Sequence, residues 1–139
     1  MSEENVDLVR NLYALGDFLN PTPDEIDRAF RDALVDQFEF HPPTDFPEGE
    51  LVFRGREGLA QFTAMLREAW GEWRLEPDRF LDAGDRVVVF ARVVGKGGAS
   101  GAPFELETTH VWAIRDGRAT SAHAYRDRSE ALEAAGLSE

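Results

Sequence analysis

The sequence predicts an α+β fold: a cone-shaped, curved antiparallel sheet (a half-barrel) with N-terminal helices closing a pocket. Three observations carry this expectation. Apolar residues recur at helical spacing near the N-terminus and again between residues 59 and 73. From there to residue 127 the period changes to alternation, broken by turn residues. Helices and strands do not alternate as a doubly wound sheet requires.

Each element has its own signal. Val6, Val9, Leu12, Tyr13 and Phe18 place a helix over about 5–19, and Asn20-Pro21 breaks it. Thr22 as cap, Pro23 at the first helical position and Glu25 closing a capping box restart the chain. This second helix turns Ile26, Ala29, Phe30, Ala33 and Leu34 inward. Residues 38–41 alternate and stop at Pro42-Pro43, which reads as a short strand, and a loop runs on to Gly55. The third helix carries Leu59, Phe62, Met65, Leu66, Ala69, Trp70 and Trp73 on one wide stripe. Strands follow at about 74–81, 86–95, 104–115 and 118–126. Ala83-Gly84-Asp85 turns the first pair, Asp116-Gly117 is a two-residue hairpin signal, and 96–103 is a glycine-rich loop. Asp127-Arg128-Ser129-Glu130 caps a short last helix that Gly136 ends.

The 139 residues suit one domain over 1–139, with an ordinary 42% hydrophobic and 30% charged content. The formal charge of −12 opposes phosphate backbones and anionic membranes, so neither nucleic acid nor membrane is an expected partner. No apolar run approaches the ~20 residues that span a bilayer, and the N-terminus lacks a signal-peptide layout. Cysteine is absent, which removes disulfides, thiolate ligands and cysteine nucleophiles and fits a cytoplasmic setting. The valine run 87–89, followed by Phe90, is apolar on both faces, as in a sheet covered on both sides, and a homodimer through the outer face is expected.

Chemistry concentrates at few positions. In the strand over 104–115 the even set, Phe104, Leu106, Thr108, His110, Trp112 and Ile114, shares one face, so His110 stands among large apolar neighbours. Desolvation there favours the neutral imidazole, either as a satisfied core histidine or as a pocket group that donates and accepts hydrogen bonds. Glu39 and His41 share a face. They form an acid–base pair if that face is the hollow, and are surface residues if Phe38 and Phe40 point inward, the phase that alternation favours. Tyr125 and Arg126 end the last strand within reach of a pocket, and a buried Arg126 would pair with Glu39. Trp112 and Trp70 are pocket or core aromatics, and Asp127 is explained by its cap. His41, His110 and His123 show no metal-ligand spacing, so no metal is expected, and no dinucleotide, phosphate-loop or nucleophile-elbow motif appears.

Six stretches, in this order, resemble the SnoaL-like branch of the nuclear transport factor 2-like superfamily. They are Phe38-Glu39-Phe40-His41-Pro42-Pro43, Phe53-Arg54-Gly55-Arg56-Glu57-Gly58 and the run from Asp82 to Val89. The others are His110-Val111-Trp112 leading to Arg115-Asp116-Gly117-Arg118, Tyr125-Arg126-Asp127-Arg128, and Glu130 to Leu137. The resemblance implies the cone and commonly a homodimer, and it spans isomerases, cyclases, dehydratases, epoxide hydrolases and binding proteins. Against ketosteroid isomerases, it implies the base position at or beside His41 and the protonated-aspartate position at His110. The helix-one tyrosine position falls near Val9, so that donor is missing and the same isomerisation is disfavoured.

The expectation is a small-molecule pocket protein for a largely apolar carbonyl compound, working without a cofactor. As an enzyme it would use His41 or Glu39 as base and His110 to steady an enolate, with Trp112 and Trp70 excluding water. A carrier or a dimeric interaction module of the same fold is the alternative.

Overall fold

The computed structural model describes residues 2–14, 22–42, 52–97 and 101–137, with 2, 66–73 and 97 described by backbone alone. Two helices come first, α1 (Ser2–Ala14) and α2 (Pro23–Asp32), then β1 (Leu34–His41), β2 (Phe53–Arg54) and α3 (Gly55–Ala69). The sheet continues with β3 (Trp70–Asp82), β4 (Arg86–Gly97), β5 (Pro103–Arg115) and β6 (Arg118–Tyr125), and α4 (Arg128–Ala134) closes the chain. Strand order is β2-β1-β6-β5-β4-β3, an open six-stranded sheet. The predicted α+β class with a curved sheet is what the chain adopts. Bulges in β1, β3 and between Ala113 and Ile114 bend the strands at several points.

Local chemistry explains most boundaries. The Thr22 side chain accepts from the Glu25 amide at 3.2 Å, and the Glu25 carboxylate accepts from the Thr22 amide at 2.8 Å, which completes the predicted capping box. Asp116 and Gly117 take φ of 52° and 77°, the left-handed pair that a two-residue hairpin demands. Asp127 caps α4 by accepting from the Ser129 amide at 2.9 Å. The predicted stretch of helix over 15–19, most of the loop before residue 52, and residues 98–100 of the glycine-rich loop lie outside the described residues.

Four boundaries differ from expectation. Helix α2 stops at Asp32, and Leu34, expected on the helix, opens β1 four residues early. The cause is long-range: Arg118 donates to the carbonyls of Phe30, Leu34 and Arg31 at 3.3, 3.0 and 2.8 Å, and the Ala119 amide donates to Ala33. Trp70 and Trp73 fall on β3, because Gly71 is a poor helix residue and β4 supplies partners from Gly97 to Val87. A two-residue strand, β2, lies in what reads as loop and pairs with β1 through Glu39–Arg54 and Phe40–Phe53. Finally, β1 runs parallel to β6, where the sequence suggests only antiparallel neighbours.

The two sheet faces are covered differently. Helices α1, α2 and α3 lie on the concave face over Val87, Val89, Trp112, Ile114, Phe38 and Phe40. On the convex face, α4 covers Val88, Phe90 and Val111 with Ala131 and Leu132. The valine run is thus apolar on both sides because the chain's own last helix covers its outer face. The reason the sequence supplies for a homodimer is met within one chain.

Candidate functional site

Alternation along β5 puts His110 and Trp112 on the concave face, and both are buried, at 4% and 2% exposure. Glu105 and Glu107 point the other way and are exposed. Their cross-strand neighbours are small on one side: His110 pairs with Ala124 and Trp112 with Ala122, which leaves volume for rings above the sheet. Phe38 fills part of it, stacked on Trp112 with centroids 5.7 Å apart. Tyr13 fills another part, edge-on to Trp112 at 5.9 Å and to Phe80 at 5.5 Å.

Helix α1 delivers that tyrosine. Its buried stripe is Val6, Val9, Leu12 and Tyr13, and Asn5 anchors the helix by donating to the Gly84 carbonyl at 3.0 Å. Arg10 lies over the Phe80 ring at 5.0 Å. The Tyr13 hydroxyl then sits 2.6 Å from His110 Nδ1 and accepts from the Trp112 indole N–H at 2.9 Å. The helix-one tyrosine position is expected near Val9; a tyrosine does stand one turn further on, Tyr13, with its hydroxyl on His110 and Trp112. Its place on an apolar stripe is visible in the sequence, but its partner 97 residues away is not.

Burial dominates the electrostatics. Desolvation lowers the His110 pKa from 6.5 to about 4, so the ring is neutral at physiological pH. The same desolvation pushes the Tyr13 phenol well above its usual range. Among the described residues no carboxylate is buried, and the buried polar side chains are Thr63, Thr109 and His110. No described cluster of His, Asp or Glu is arranged to hold a metal.

The other candidates lie elsewhere. Phe38 and Phe40 point into the concave core, so Glu39 and His41 occupy the convex face. There the Glu39 carboxylate accepts from Arg54 at 2.7 and 2.9 Å and contacts His41 Nε2 at 3.2 Å. The Arg54 guanidinium, then His41, hold the Glu39 pKa below its ordinary value. The His41 ring lies flat on His123, with centroids 3.9 Å apart, because the parallel register sets these residues side by side. Burial, then the nearby His41 and Arg86 charges, lowers the His123 pKa. Glu39 and His41 are thus brought together with each other and parted by the sheet from His110. Tyr125 is on the convex face too, packed with the α4 cluster, and Arg126 is exposed beyond β6. Neither joins His110, and Arg54 takes the place beside Glu39 imagined for Arg126. The side chain of Trp70 lies outside the described residues. A separate cavity of about 230 Å³ between α1 and α2 is lined by Leu8, Leu12, Ala29 and Ala33, with neither His110 nor Trp112 in its wall.

Known proteins share this architecture. A profile of the SnoaL-like domain matches residues 9–122. An NTF2-like protein of unknown function from Burkholderia pseudomallei K96243 superposes with a TM-score of 0.71 at 22% identity, over 94% of this chain and 95% of that one. TerC co-crystallized with polyporic acid gives 0.71 at 25% identity, over 96% and 98%. A protein assigned as a SnoaL-like polyketide cyclase from Jannaschia sp. CCS1 gives 0.70 at 19% identity, over 88% and 85%. No curated protein sequence matches the chain. The profile spans most of the chain and the superpositions reproduce its fold, so the chain belongs to the SnoaL-like domain family.

Proposed function

We propose that this protein binds a small, largely apolar carbonyl compound against the concave face of the sheet, with His110 as the polar anchor. The observation that carries the reading is a buried imidazole, 2.6 Å from the Tyr13 hydroxyl, beside the apolar side chains of Trp112, Val89 and Ala124. Apolar sites with few fixed polar groups are typical of small-molecule pockets. TerC, with polyporic acid in its crystals, lends support from a related fold.

Binding ranks ahead of proton transfer for a physical reason. A general base works best with a pKa near the operating pH, and His110 at about 4 is far below it. The acid–base pair expected of Glu39 and His41 faces away. Enolisation is the second reading, favoured by one feature: a neutral imidazole in an apolar site polarises a carbonyl and steadies the enolate oxygen. In that case His110 is the electrophile and not the base.

Calorimetric binding of an aromatic ketone and of its matched hydrocarbon separates anchor from grease. The wild type prefers the ketone by about fivefold to tenfold, the worth of one net hydrogen bond. His110→Phe binds both alike. Equal affinity of the wild type for the pair, or no binding of either, contradicts the proposal.

A further inference from the structure

From the stacked rings of His41 and His123, we infer a proton-sensitive clasp on the convex face, where β1 and β6 hold one proton between them and part locally when a second arrives. The parallel register sets the two residues opposite each other, and their rings lie face to face, 3.9 Å between centroids and 5° from coplanar. Two imidazoliums stacked so closely repel, because little water fits between the faces to screen them. A single proton is tolerated. The Glu39 carboxylate lies 3.2 Å from His41 Nε2, so His41 is the ring that carries it. Arg86, from β4, acts on His123 in the opposite sense and keeps that ring neutral.

Among the described residues, the charged and titratable groups around the pair leave a second proton without compensation. Glu39 of β1 is already shared with Arg54 of β2. Arg54 and Arg86 are themselves cations. Tyr125 of β6 lies 6.3 Å from the His123 ring, and burial, then Glu130 of α4, holds its phenol neutral. From β5 the residue opposite His123 is the uncharged Val111. Like charges facing each other across a strand pair are destabilising, and this pair sits where it matters. After an irregularity, β1 and β6 are in register at Glu39, Phe40 and His41, and β2 joins the sheet through β1. Acid therefore loosens the β1–β2 edge from the convex side, apart from anything that happens at His110.

NMR titration of the ring protons from neutral pH downward tests the clasp. In the wild type the His41 and His123 resonances move together in two steps, each ring sensing both protons. His41→Phe keeps a flat ring over His123 and removes its charge, so the His123 midpoint rises by about one pH unit. Glu39→Gln moves the first step of the pair to lower pH. Hydrogen-exchange protection of the Phe40 and His41 amides, taken relative to Val88 of β4, falls through the second step. Independent single steps for the two histidines, or an unmoved His123 midpoint in His41→Phe, overturn the shared proton. Relative protection that stays constant through the second step overturns the parting of the strands. Should His41→Phe fail to fold, the wild-type titration and exchange decide both points.

Discussion

At the scale of the residue, His110 makes stability depend on pH in a defined direction. Unfolded, the imidazole takes a proton near 6.5, and folded it resists until about 4. Between these values the unfolded state binds more protons, so stability is complete above about 6.5 and declines as pH falls toward 4. The largest loss this shift allows is about 3 kcal/mol. Glu39, whose pKa is lowered, adds stability that is present above its unfolded value of 4.5 and is lost as pH falls below it, so its loss begins only at the acid end of the His110 window. Urea titrations across the upper window should show a steeper decline in the wild type than in His110→Phe, where the lowered His123 pKa still contributes. A decline of equal slope in both assigns it to other groups. The position of His110 was readable from alternation alone, because Glu105 and Glu107 could not share an interior face with Phe104 and Trp112. Tyr13 was readable only as an apolar stripe member, since helical period reports a face and not the group that meets its hydroxyl.

At the scale of the element, the structure depends on contacts between segments distant in sequence. Gly58, in the first turns of α3, sits so close to β2 that an added Cβ would lie 2.8 Å from the Phe53 carbonyl carbon. Gly58→Ala should therefore cost about 1–3 kcal/mol by overpacking, read as a lower midpoint in chemical denaturation. Unchanged stability would mean that α3 and β2 separate freely. Capping boxes and hairpin turns were legible because each is local: Thr22 with Glu25, and Asp116 with Gly117. The end of α2 was not, because Arg118 sets it from the far side of the sheet. The α3–β3 boundary was missed for the opposite reason. Trp70 and Trp73 continue the helical stripe well enough to disguise a strand that β4 recruits.

At the scale of the whole molecule, the sheet acts as a partition. Its concave side holds Tyr13, His110 and Trp112, and its convex side holds Glu39, His41, His123 and Tyr125. The order of elements sufficed to foresee the curved α+β fold, but the two-residue period of β1 permitted either facing of Glu39 and His41. Packing of Phe38 on Trp112 and of Phe40 on Phe62 decided it. The central claim is that His110 stands uncharged and enclosed on the concave side. Its ring-proton chemical shift, followed by NMR from neutral pH downward, tests this most directly. The resonance should stay still through 6.5 and titrate only near 4, whereas a midpoint at 6.5 would contradict the account.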